Sequence, residues 1–200
     1  IARFLPEHKR LIFAYPNLES WLKRKFTNAI NFEHTMFLTD THVDYLLAQT
    51  GFDIVKKYFY EDHSIFYVAE RNSKISPVSL VSKYREYKEI FLDFISYNMS
   101  LVADINKKIH ASVTPVYLFG AHIFSTYLIA FGLDTSKIIS ILDNSSLKQG
   151  KRLYGTNMFV ESPKVLEGKS KVNLILKAGV HTADIKVDIL NNINSEVVIW

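Results

Sequence analysis

Two hundred residues suffice for one well-buried core or two small ones. Hydrophobic residues at 48% and charged residues at 22% describe a globular chain, and 14 Phe with 11 Tyr favour β-structure and flat binding surfaces over disorder. The net charge of +4 is scattered in short clusters (Lys23-Arg24-Lys25, Lys56-Lys57, Lys107-Lys108 and residues 148–152), which argues against a dedicated nucleic-acid binder and suits a phosphorylated small molecule. The absence of cysteine excludes disulfides, thiolate metal sites and a cysteine nucleophile within these residues. No apolar run approaches the roughly 18 residues of a membrane helix, and the first residues lack the layout of a signal peptide. The expectation is a soluble, cytoplasmic protein with no nucleic-acid or membrane partner and no bound metal.

Residues 11–15 form an apolar run stopped by Pro16-Asn17, the pattern of a buried strand opening into a loop. A short helix is expected over 18–26. Thr39 or Asp40 is placed to cap the next helix, which shows Val43, Leu46 and Leu47 on one face and ends at Gly51. Residues 53–60 and 64–70 read as two strands of a hairpin turning at Glu61-Asp62-His63. The polar stretch 71–77 is a natural boundary. Across 78–110, Val81, Tyr84, Tyr87, Phe91, Phe94, Leu101, Ile105 and Ile109 recur at three- and four-residue steps, predicting a helix on the order of 45 Å long.

The last ninety residues alternate strand and helix. Strands are expected at 116–119, 138–142, 172–176 and 197–200, with helices from Ala121 to about Phe131 and over 181–192. Such alternation implies a parallel sheet with ligands at the strands' carboxyl ends. Gly120 with Asp143 about twenty residues on outlines a dinucleotide fingerprint, but Phe124 and Ser125 fall where small residues are required, so NAD binding is not expected. The loop Lys148-Gln149-Gly150-Lys151-Arg152 reads either as a diphosphate clamp or as a solvated basic loop, with Tyr154-Gly155-Thr156 beside it.

Glu33-His34 is a candidate proton-handling pair, because an imidazole titrates near neutrality and an adjacent carboxylate fixes its tautomer. A solvated surface turn is the alternative. His63, beside Asp62, reads first as a hairpin or packing residue, and His181 as the start of a helix.

The segment Asn31-Phe32-Glu33-His34-Thr35, followed by Phe119-Gly120-Ala121, Asp143-Asn144, Lys148-Gln149-Gly150-Lys151, Tyr154-Gly155-Thr156 and Glu161-Ser162-Pro163, resembles the sugar C-methyltransferases. These are class I S-adenosylmethionine-dependent enzymes with an extra C-terminal domain. The order strand, loop, helix, hairpin resembles the way their cofactor domain finishes. The resemblance implies an α/β chain in three parts: the C-terminal part of a class I methyltransferase (Rossmann-like) domain over 1–71, a connecting helix over 72–110, and a Rossmann-like C-methyltransferase C-terminal domain over 111–200. It implies methylation of a carbon beside the ketone of a nucleotide-linked sugar or related small metabolite. His34 would act as base, Glu33 would orient it or bind the sugar, and Asn31, Asn144, Lys148, Tyr154 and Thr156 would contact substrate. Asn31 stands where sugar-methylating members tend to carry tyrosine.

Ile1 is not a methionine, and no glycine-rich loop precedes Glu33. The cofactor site is therefore expected largely outside these residues, in a larger enzyme whose relatives also carry an N-terminal zinc module. A non-catalytic nucleotide-sugar-binding module is the alternative. The aromatic surfaces and long helix also allow a homodimer.

Overall fold

The computed structural model describes residues 1–27, 30, 36–72 and 78–200, and the chain divides into two units, Ile1–Phe94 and Ile95–Trp200. In the first, strand β1 (Arg10–Pro16) is followed by helix α1 (Leu18–Lys23), helix α2 (Asp40–Gln49) and the hairpin of β2 (Phe52–Tyr60) and β3 (Ser64–Arg71). The sheet order is β1-β3-β2 and both pairings are antiparallel, so the last strand lies between the other two. Successive side chains of a strand point to opposite faces, which sorts the residues of this sheet. Ile65, Tyr67 and Ala69 are buried against Val43 and Leu47 of α2, with Leu11, Phe13 and Tyr15 of β1 packed alongside. Ile12, Tyr58, Tyr60 and Phe66 are exposed.

Helix α1 stops at Lys23, three residues short of the expected end, because the chain turns at Lys25 with a positive φ of 63°. Leu46 is exposed although Val43 and Leu47 are buried, so the apolar stripe of α2 is narrower than its sequence suggests.

Helix α2 is bolted to the sheet by ion pairs on its first turns. Lys57 Nζ lies 2.7 Å from Asp40 Oδ2 and 3.0 Å from Asp44 Oδ2, and Tyr67 Oη donates to Asp44 Oδ1 at 2.5 Å. Thr39 makes no side-chain cap. Its hydroxyl instead sits 2.8 Å from His42 Nδ1 and 3.0 Å from Tyr87 Oη. Burial opposes the charged form of both Asp40 and Lys57, and their mutual attraction outweighs it: Asp40 is held below the usual carboxylate range and Lys57 above the usual ammonium range.

The long helix α3 (Tyr84–Ala111) contains the division between the units. It begins six residues later than the periodicity predicts, since residues 78–83 are irregular. The second unit continues through β4 (Val116–Phe119), α4 (Ile123–Ala130), β5 (Ile138–Leu142), β6 (Val160–Glu161), β7 (Asn173–Leu176), α5 (Thr182–Asp188) and β8 (Val198–Ile199). These five strands form a wholly parallel sheet in the order β6-β5-β4-β7-β8. The chain is thus α/β, with strands added on one side of β4 and then on the other.

Every residue of β4 and β7 is buried. Val116, Leu118 and Ile175 pack with Val102, Ile105 and Ile109 of α3 and Leu128 of α4. Tyr117, Phe119, Leu174 and Leu176 face the opposite layer, with Leu166 and Ile189. Two expectations needed adjustment. The two-residue β6 was too short to register as a strand. The helix expected over 181–192 is a 3-10 turn (Gly179–His181), α5, and a π-helical turn (Ile189–Ile193) in succession.

Among the described residues no helix is long and apolar enough to cross a membrane.

The ion-pair cluster on α2 makes a measurable claim. Lys57→Met should lower the stability of the first unit by about 1–2 kcal/mol near neutral pH, since it strips two partly exposed carboxylates of their partner. Urea unfolding followed by Trp21 fluorescence reads this. Because the folded-state value of Asp40 lies below its unfolded one, its contribution is present above the ordinary carboxylate range and lost as pH falls through it. The gap between wild type and Lys57→Met should therefore shrink below about pH 4.

Candidate functional site

In the second unit the order of strands reverses between β4 and β7, and the loops leaving their carboxyl ends diverge there. Open α/β sheets place ligands at this point. The β4 loop turns at Gly120, whose φ of 101° lies in the left-handed region that favours glycine. Gly120 N–H donates to the Leu142 carbonyl at 2.7 Å, tying the turn to the end of β5. Ser125 is fully buried and its hydroxyl donates to the Gly120 carbonyl at 2.5 Å, so it fixes the turn from within α4.

Asp143, at the end of β5 and 8% exposed, is saturated by the protein itself. Its Oδ2 accepts from Ala121 N–H at 2.8 Å and from Lys148 Nζ at 3.0 Å, and its Oδ1 accepts from Ser145 N–H at 2.9 Å. Through Ala121 N–H the carboxylate holds the loop that leads into α4. Its carbonyl accepts from Gln149 Nε2 at 2.9 Å, which folds the 145–149 turn back over the strand end.

Across the reversal point, Phe124 leaves α4 and packs with the layer on the far face of β4. A Cβ built on Gly179, in the loop after β7, would stand 3.1 Å from Phe124 Cζ, so the two loops touch through this ring. That explains in physical terms why a phenylalanine takes a position at which a dinucleotide site needs a small residue. The loop after β7 is closed by Thr182, whose hydroxyl accepts from Ala178 N–H at 3.1 Å.

Of the expected substrate contacts, Lys148 reaches this place and is paired with Asp143. Asn144 is exposed beside it. Thr156 uses its hydroxyl to brace its own turn, donating to the Leu153 carbonyl at 3.0 Å and accepting from Met158 N–H at 3.1 Å. Tyr154 is 83% exposed at the tip of that turn, where residues 152–157 enclose a shallow open depression. Asn31, Glu33 and His34 lie outside the described residues.

His63 packs edge-on against Trp21, ring centroids 5.4 Å apart, and its Nδ1 lies 2.5 Å from Ser64 Oγ. Asp62 accepts from Ser20 Oγ at 2.9 Å and pairs with Arg24. This hairpin tip is a clasp on α1. His181 is exposed in the turn before α5. Among the described residues no group of three His, Asp or Glu side chains is placed to hold a metal ion.

Sequence reasoning missed the Phe124–Gly179 contact, because nothing in the spacing of residues 55 apart signals it. It also missed that Asp143 serves Ala121 N–H. The recurrence of an acid at a strand end about twenty residues after a Gly turn was the available sign.

No protein-family model and no curated protein matches this sequence.

The Phe124–Gly179 contact predicts a non-additive pair. Gly179→Ala should cost about 1–2 kcal/mol through its φ of 57° and its collision with the ring. In combination with Phe124→Leu the loss should be smaller than the sum of the two single losses, as a double-mutant cycle on thermal unfolding would show.

Proposed function

We propose that this chain serves a methyltransferase dependent on S-adenosylmethionine that acts on a nucleotide-linked keto sugar or a related small metabolite. The observation that carries the reading is the pairing of two architectures in one chain. A sheet that ends in strand, helix and hairpin is followed by a separate parallel sheet whose strand order reverses at β4 and β7. Both agree with the resemblance drawn from the residues.

Glu33 and His34 handle the proton in this reading. His34 removes hydrogen from the carbon beside the substrate carbonyl, and Glu33 holds the imidazole in the tautomer that accepts it. S-adenosylmethionine supplies the methyl group when bound. In the first unit the turn after β1 is Pro16-Asn17, and the Asn17 side chain accepts from Ser20 N–H at 3.3 Å as the cap of α1. That turn serves the helix, and no cofactor contact is assigned among the described residues.

In the second unit Asn144, Lys148 and Tyr154 remain the proposed substrate contacts, and Lys148 would exchange Asp143 for a phosphate. The self-contained packing of that unit, apolar on both faces of its sheet, also favours a second reading: a nucleotide-sugar-binding module without chemistry.

One assay separates the readings. The whole protein carrying this chain is incubated with labelled S-adenosylmethionine and nucleotide keto sugars. Methyl transfer should occur, and His34→Ala should lower it by about 100-fold or more while nucleotide-sugar affinity changes less than about twofold. Binding without transfer in the wild type would leave the module. Neither binding nor transfer would overturn both.

A further inference from the structure

The hairpin of the first unit ends in an open edge. Strand β2 is nine residues long and outermost in its sheet, and among the described residues no strand pairs with its outer side. Long open edges are normally guarded by charge, by Pro or by a bulge. Here the bulge falls between Ile54 and Lys56, so the half nearer the hairpin tip, Tyr58-Phe59-Tyr60, is unguarded and its three rings are about half exposed. On one face Tyr58 and Tyr60 lie against Phe66, itself exposed, with ring centroids 6.3 and 6.4 Å away. On the other face Phe59 lies beside Lys57, whose Nζ is 5.4 Å from the ring centre.

The backbone at this edge is directional. Asn17 N–H donates to the His63 carbonyl and Arg71 N–H to the Lys9 carbonyl, so the odd-numbered residues of β3 bond to β1 and the even-numbered ones to β2. Tyr58 and Tyr60, opposite Phe66 and Ser64, therefore bond inward. The N–H and C=O groups of Lys57 and Phe59 point outward. Two copies related by a twofold axis can pair this stretch antiparallel in registers centred on residue 57, 58 or 59. The first sets Lys57 against Lys57 of the second copy. The second faces Lys56 with Tyr60 and Lys57 with Phe59, matching no charges. The third brings Lys56 toward Asp62 and Lys57 toward Glu61 of the second copy, opposite signs in both cases, and sets each Tyr58 across from a Tyr60. Lys56 is exposed and forms no ion pair among the described residues, so its charge is free to choose this register.

We propose that the outer edge of β2 is a dimerisation edge, on which a second copy of this chain pairs antiparallel about Phe59. Two three-stranded sheets then become one of six strands. The exposed aromatic face continues across the junction, with Tyr58, Tyr60 and Phe66 of both copies side by side, and rings that otherwise meet water are covered. One strand pair is a small interface, so the dimer is weak and concentration-dependent. The inference is independent of the methyl-transfer reading.

Sedimentation velocity of the whole protein carrying this chain, from about 2 to 200 µM, covers the range expected of so small an interface. The wild type should dimerise reversibly. Phe59→Lys sets two ammonium groups together on the twofold axis and should weaken the dimer at least about tenfold. Lys56→Glu, which then opposes Asp62 of the second copy, should weaken it about threefold, and less at high salt. Phe4→Lys, at a site 89% exposed and outside the edge, should leave the dimer unchanged. Both edge positions are exposed, so these variants should keep the wild-type far-UV circular dichroism. A wild type that stays monomeric at the highest concentration would overturn the proposal and leave the edge to a strand of another protein. A dimer that neither Phe59→Lys nor Lys56→Glu weakens would overturn it as well.

Discussion

A parallel strand in the middle of a sheet needs neighbours on both edges to pair its backbone and apolar layers on both faces to bury its side chains. In the second unit β4 and β7 meet both demands: every one of their residues is buried. The rest of that unit is arranged to satisfy them. Helices α3 and α4 cover one face and the segments around Leu166 and Ile189 cover the other, while β5 and β8 pair the outer edges. Asn173 is the polar exception inside β7, and its amide donates to Ser112 Oγ at 2.8 Å and Thr114 Oγ1 at 2.5 Å, so its burial leaves no donor stranded.

Because the chain builds outward from β4 in both directions, two loops must part at the carboxyl ends of β4 and β7. A gap at that point has to be filled by a ligand or by the protein. Here the near parts of it are filled from within: Phe124 bridges to Gly179, and the Asp143 carboxylate ties down the loop ahead of α4 through Ala121 N–H. Lys148 then balances Asp143 rather than standing alone as a cation. The Gly120 turn thus lacks the direct approach to a pyrophosphate that a dinucleotide fold requires.

The first unit solves a different problem. A three-stranded antiparallel sheet needs cover on one face at least, and α2 provides it through two buried residues and a charged cluster. The cluster's value is positional. Lys57 spans two aspartates one helical turn apart, which sets the rotation of α2 over the sheet. That rotation in turn sets Val43 into the core, with Tyr15 and Leu38 packed alongside.

The sequence alone determined the type and order of nearly all the longer elements, because each has a strong local signal: an apolar run stopped by Pro16-Asn17 in β1, aromatic and β-branched residues in β3, a sustained helical period in α3, and short apolar runs closed by Gly or Asp in β4 and β5. Its alternation of strand and helix also implied the parallel sheet. What tertiary structure alone decided is how residues far apart in the chain use one another. Ser125 and Phe124 looked like departures from a glycine pattern, and in space one locks the Gly120 turn and the other plugs the reversal point. Lys148 reads in the sequence as part of either a phosphate clamp or a solvated basic loop, and in space it pairs with Asp143. The Thr156 hydroxyl donates to the Leu153 carbonyl of its own turn. Periodicity reports which face of an element is apolar. It carries no record of which distant polar atom meets which, since that depends on the packing of whole layers.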